Sequence, residues 1–172
     1  MAFKRKRTMA KRVEELAPGK AIRQTTTVGG KRMVITQTRL RDGTVRTTAK
    51  PALALEVDLQ AAQVTALLQH PEYGRRFILA GDMNAAKRGS KAISDALRSG
   101  MTEGEPDLRL YFDRGRLALV ENKEASNDLS KAQVDRHSAL AALGHHVETI
   151  YAATEARAVE LIMEIVEEHL NG

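Results

Sequence analysis

At 172 residues, with 42% apolar and 28% charged residues, the chain is long enough for one sizeable core and has an ordinary globular composition. Aromatics make up 3% with no Trp, which argues against base stacking on an aromatic platform, and the lack of Cys excludes disulfides, thiolate metal sites and a cysteine nucleophile. The net charge of +5 is unevenly spread: residues 1–50 hold 14 Lys and Arg against three acids, the remainder 13 against 19, so the first part suits a partner with a phosphate backbone.

Residues 1 to about 30 carry Lys4, Arg5, Lys6 and Arg7, then Pro18-Gly19 and Gly29-Gly30, with little apolar periodicity. They read as a mobile basic arm with a short helix near Arg12 to Leu16. Met33-Val34-Ile35 and Val45 flank Arg41-Asp42-Gly43, which predicts a small hairpin polar on both sides. Leu55, Leu59, Ala62 and Leu67 recur at helical spacing between Leu53 and Leu68, and His70-Pro71 ends that helix. Arg76 to Ala80 reads as a strand, Gly81 to Asn84 as a turn, and about Lys87 to Arg98 as a helix stopped by Gly100.

Leu108 to Phe112 and Leu117 to Glu121, separated by Asp113-Arg114-Gly115, form the tightest hairpin candidate. Ser130 is placed to N-cap a helix from Lys131 to Leu143, closed by Gly144. Val147 to Tyr151 is a further strand. The last helix, Thr154 to Leu170, carries Ala158, Leu161, Ile162, Ile165 and Val166 on one face, which belongs by default in the chain's own core and alternatively forms a dimer surface. No repeat is visible. The expected organisation is a basic arm and hairpin over 1–50, then one domain over 51–172.

The chemistry concentrates on the second hairpin. Asp107 opens its first strand, and Glu121-Asn122-Lys123 ends its second. Glu121 and Lys123, two apart on a strand, point to the same face. Two carboxylates and an ammonium at one point can hold Mg²⁺ against a phosphodiester and activate a water. Taken singly, a Pro-Asp is a turn and a Glu-x-Lys a surface ion pair.

Order and spacing go further. Gly104-Glu105-Pro106-Asp107-Leu108 resembles the Gly-x-Pro-Asp-Leu motif of the VRR-NUC family, within the PD-(D/E)XK nuclease superfamily, and Val120-Glu121-Asn122-Lys123 its Glu-x-Lys. Leu129-Ser130-Lys131-Ala132-Gln133 resembles its Leu-Ser-x-x-Gln, and Leu140 to Gly144 with Val147 its closing Leu-x-x-x-Gly and strand. Glu56 with Gln60 is similar to its first-helix Glu-x-x-x-Gln. The resemblance covers roughly residues 52 to 151.

It implies an α/β restriction-endonuclease-like core: a central mixed sheet flanked by helices, with the basic arm and small hairpin as additions. It further implies a Mg²⁺- or Mn²⁺-dependent endonuclease acting on DNA, on structured or branched forms, as a resolvase or nickase of phage or bacterial type. The alternative is an inactive DNA-binding module on the same fold. On this reading Asp107 and Glu121 ligate the metal, with the backbone carbonyl of Asn122 and, directly or through water, Glu56. Lys123 orients or activates the water, or stabilises the transition state; Gln133 positions water or substrate. Lys4, Arg5, Lys6, Arg7, Lys87, Arg88 and Lys91 are candidate phosphate contacts. Small relatives form homodimers, so a homodimer is an option.

His145-His146 lacks clustered ligands and reads as a solvent or DNA contact rather than a zinc site. His137, one turn after Gln133, could face the cleft, with a surface role as the preferred reading. Asp82 could approach the metal and Arg109 the cleft, and neither is placed in the site. No apolar stretch reaches membrane-spanning length and no signal core follows the basic start, so a soluble, cytoplasmic protein without membrane contact is expected.

Overall fold

Thr, Val and Ile dominate residues 21–51, and β-branched side chains favour a pleated strand over a helix. In the computed structural model they form three strands, β1 (Ala21–Val28), β2 (Lys31–Arg39) and β3 (Val45–Pro51), paired antiparallel in the order β1-β2-β3. Residues 9–82, 94, 95 and 98–172 are described, and the chain divides into two compact units, Met1–Ala52 and Leu53–Gly172. Gly29 and Gly30, both at positive φ, make the two-residue turn between β1 and β2 that matches strand twist.

Two expectations for this unit need correction. Residues 21–28 are not part of a structureless arm: their alternation pairs residue for residue with β2 from Ala21–Thr38 to Val28–Lys31. Nor is the sheet polar on both sides. Its register places Ile22, Met33, Ile35, Val45 and Ala49 on one face. Arg39 on that face donates to the carbonyls of Glu14 and Leu16 at the end of a short helix, α1 (Met9–Glu14), whose Val13 is buried. One missing partner strand hid this pattern in the sequence.

The second unit is built on a four-stranded mixed sheet of β4 (Phe77–Gly81), β5 (Leu108–Phe112), β6 (Leu117–Glu124) and β7 (Val147–Ala152), in that spatial order. β4, β5 and β6 are antiparallel neighbours, while β6 and β7 run parallel. A parallel pair requires a crossover, and α3 (Lys131–Ala142) supplies it. One face, with Leu108, Leu110, Phe112, Val120, Ile150 and Ala152, is sealed by α2 (Glu56–Leu68) and α4 (Glu155–Asn171). Ala158, Ile162, Val166 and Leu170 of α4 are spent in this core, which removes the last helix's apolar face as an argument for a dimer.

On the opposite face, Leu119 and Val147 meet Leu140 of α3. Apolar cover is thin there, and the same face of β6 continues into Glu121 and Lys123. Residues 94, 95 and 98 are helical; the rest of the helix expected over 87–98 lies outside the described residues, as do Lys4, Arg5, Lys6, Arg7, Lys87, Arg88 and Lys91. Among the described residues no helix is long and apolar enough to cross a membrane.

Candidate active site

β6 turns polar at its C-terminal end while remaining buried: Glu121, Asn122 and Lys123 are 1%, 0% and 6% exposed. Three consecutive polar residues so deeply buried cost free energy unless each finds partners. Lys123 finds two, its Nζ lying 3.2 Å from Glu121 Oε1 and 3.3 Å from Glu56 Oε1 at the first turn of α2. Burial pulls the Lys123 pKa down, but Glu121 and Glu56 outweigh it and hold the ammonium above its ordinary value.

Asp107 stands at the entrance to β5, across the ladder. Its Oδ2 accepts the Asn122 N–H at 2.8 Å, which fixes the carboxylate beside β6. Its carbonyl accepts from the Asp82 N–H (2.8 Å) and from Gln60 Nε2 on α2 (3.1 Å). Burial raises the Asp107 pKa against the Asn122 hydrogen bond and the Lys123 charge, with Glu56 and Asp82 adding to the rise. Glu121 is perturbed further: burial and the Asp107 charge push its carboxyl up to about 7 despite Lys123.

Gln133 arrives from α3 by a device legible in the sequence. Ser130 Oγ accepts the Gln133 N–H (3.3 Å) while Gln133 Oε1 accepts the Ser130 N–H (2.9 Å), a capping box. The side chain thus locked donates its Nε2 to Glu121 Oε1. Asp107, Glu121, Lys123, Glu56 and Gln133 are therefore joined in one cluster. Asn122 enters through its backbone N–H, and its side chain is buried with both polar atoms unpartnered.

His137 is not the surface residue that the sequence suggested. Its side chain is 13% exposed, and its Nε2 lies 3.8 Å from Glu121 Oε2, too far for a hydrogen bond. Both atoms are buried without a hydrogen-bond partner. Burial and the Lys123 charge depress the imidazole pKa, with Glu105 opposing, so the ring is held neutral more firmly than a free histidine. The four-residue spacing from Gln133 was the available signal.

Glu105 was missed altogether. Its carboxylate bridges Arg109 Nη2 (2.9 Å) on β5 and Arg136 Nε (2.7 Å) on α3, and Arg109 also reaches Asp82 Oδ2 (3.3 Å). Burial would raise the Glu105 pKa, but the two guanidinium groups outweigh it and hold it low. Asp82 and Arg109, left outside the site by sequence, belong to this chain of ion pairs flanking Asp107. Gly104, at φ +79°, lets the segment press on α3: a Cβ there would sit 2.3 Å from the Ala132 carbonyl oxygen. His145 and His146 stand apart with Glu148, whose Oε1 is 3.5 Å from His146 Nε2.

The donor set fits a hard divalent cation. Burial raises the proton affinity of both carboxylates, Asp107 adds to the rise at Glu121, and Glu121 keeps a buried oxygen, Oε2, without a hydrogen-bond partner. Among the described residues no three His, Asp, Glu or Cys side chains enclose an ion unaided. Mg²⁺ sites commonly use one or two carboxylates and complete their shell with water and phosphate, which this pair can serve.

No family model matches this chain, and no curated protein does. Its backbone resembles that of a solved structure described as a VRR_NUC domain protein, at TM-score 0.48 and 16% sequence identity over 67% of this chain and 90% of that one.

Proposed function

We propose that the second unit is a metal-dependent endodeoxyribonuclease of the PD-(D/E)XK type, hydrolysing phosphodiester bonds in structured or branched DNA. The observation that carries this reading is the buried Glu121 carboxylate, with Lys123 and Gln133 on one oxygen, no hydrogen-bond partner on the other, and Asp107 close enough to raise its pKa. Perturbed, partly unsatisfied charges of this kind weaken a fold and are characteristic of functional sites.

In this reading Asp107 and Glu121 hold the ion, with the Asn122 carbonyl and Glu56 contributing further oxygens directly or through water. Bound Mg²⁺ or Mn²⁺ would supply Lewis acidity toward the phosphate and a lowered pKa for water. Lys123 stays protonated under the pull of Glu121 and Glu56, so in the metal-free site it is a hydrogen-bond donor and not a base. One of its N–H groups can orient the attacking water or meet charge developing on a phosphate oxygen. Gln133 fixes the Glu121 carboxylate through its Nε2, and the capping box prevents that amide from swinging away. Lys4 to Arg7, Lys87, Arg88 and Lys91 are proposed phosphate contacts.

The test is a cleavage panel of linear, nicked, flap, splayed and four-way junction DNA with Mg²⁺ or Mn²⁺. Lys123→Ala and Asp107→Ala should each lose about 10²-fold or more of the activity while still binding DNA. Undiminished cleavage by both variants refutes the site. DNA binding without cleavage of any substrate by the native chain favours the inactive binding module instead.

A further inference from the structure

The register of the first unit's sheet sorts its residues in a way composition does not reveal. On the face opposite α1 stand Ala21, Arg23, Thr25 and Thr27 of β1, Arg32, Val34, Thr36 and Thr38 of β2, and Arg46, Thr48 and Lys50 of β3. Neither this face nor any residue of the three strands is Asp or Glu, and none is aromatic. The nearest acid on the connecting turns, Asp42, is occupied by the Thr44 N–H (2.9 Å) and hydroxyl (2.6 Å). Arg23, Arg46 and Lys50 are exposed, whereas Arg32 already has an interaction of its own.

We infer that this face is a docking surface for the phosphate backbone of duplex DNA, gripping it without reading its sequence. Arg46, Arg23 and Lys50 occupy three successive rungs, level with Thr38, Thr36 and Val34 of the central strand. Same-face rungs are roughly 7 Å apart along a sheet and the outer strands roughly 10 Å apart across it. The cations thus form a staggered row on one face of the sheet, with threonine hydroxyls between them as neutral donors to phosphate oxygens. Arg forks favour phosphate over a simple point charge.

The chemistry selects the occupant. Single strands are held by stacking on aromatic rings, and this sheet has none. Insertion into a membrane needs apolar side chains, and this face offers only Ala21 and Val34. An acid-free cationic face without apolar anchors suits a duplex backbone, where counterion release supplies the affinity. The inference deepens the nuclease reading, since it names where a DNA substrate is held.

The experiment uses the full chain in EDTA, so nothing is cut, with a fluorescently labelled random-sequence 30-base-pair duplex, from 50 to 200 mM KCl. The variant Arg23→Gln/Arg46→Gln/Lys50→Gln should lower the slope of log K against log salt by about 2 to 3, near 0.9 for each phosphate no longer neutralised. Over that range native affinity then falls about 40-fold more steeply than the variant's. Arg23→Lys/Arg46→Lys should keep the native slope, and Arg46→Gln alone, on an edge strand, should lower it by about 1. An unchanged slope in both Gln variants overturns the inference. So does a variant that loses binding to phosphatidylserine vesicles while keeping native DNA affinity. Loss of slope together with no cleavage by the native chain in Mn²⁺ supports the surface and sinks the nuclease. An unchanged slope with cleavage intact does the reverse.

Discussion

Glu121→Gln keeps the shape of a buried side chain and removes its charge, which isolates what that charge costs the fold. In the native chain burial and Asp107 push the Glu121 carboxyl from 4.5 up to about 7, against the opposing pull of Lys123. A rise of that size means that ionisation disfavours the folded state by roughly 3 kcal/mol. Between those two pH values the folded chain binds more protons than the unfolded one. Glu121 therefore contributes fully to stability below its ordinary pKa of 4.5, and that contribution drains away as pH rises to about 7. Burial raises the Asp107 pKa too, so its effect has the same sign.

An amide at position 121 escapes this cost. Lys123 retains Glu56 at 3.3 Å, so the ammonium is not stranded. In EDTA at pH 8 the variant should be more stable than the native chain by up to about 3 kcal/mol, with the gap closing toward pH 4.5. Urea unfolding followed by far-UV circular dichroism, dominated by α2, α3 and α4, measures both. A variant less stable than native at pH 8, or a gap between variant and native that does not widen from pH 5 to 8, would show that the charge is well accommodated and the reasoning wrong.

Metal binding should invert this balance, because a cation favours the ionised carboxylates. Calorimetric titration with Mn²⁺ at pH 6.5, in two buffers of different ionisation enthalpy, should reveal proton release that vanishes above pH 8.5; equal release at both values contradicts the Glu121 assignment. Gly104→Ala would place a Cβ 2.3 Å from the Ala132 oxygen and 2.8 Å from the Gln133 nitrogen, at a φ of +79°. We expect a loss of about 1–3 kcal/mol together with reduced cleavage, since the displaced turn carries Gln133. A variant with native melting temperature and native cleavage would show that the close approach is relieved elsewhere.

Local patterns in the chain were sufficient for much of this. The β5–β6 hairpin, the Ser130 cap, α3 and β7 follow from apolar periodicity and turn residues, which act over a few positions and need no distant partner. The strand parity that puts Glu121 and Lys123 on one face is of the same kind, and so is the reach of Ser130 to Gln133. The places of His137 beside Glu121 and of Glu105 in the flanking ion pairs depended on how α3 crosses the sheet. A histidine one turn after Gln133 faces solvent or site according to that crossing alone, and Glu105 meets Arg136 only because Gly104 permits the close approach.

The first unit shows the limit more sharply. Its threonines and arginines look like a solvated arm until the register is known, since a one-residue slip exchanges the faces of every strand. Pairing of β1 with β2 joins the predicted hairpin to a segment that local pattern leaves in the arm, and the register alone shows which cations share a face. Residue identity thus set the charge, the caps and the periodicities. Tertiary structure decided which charges share a surface, and how deeply Glu121 is withdrawn from water, because burial belongs to the assembled chain and not to any one residue.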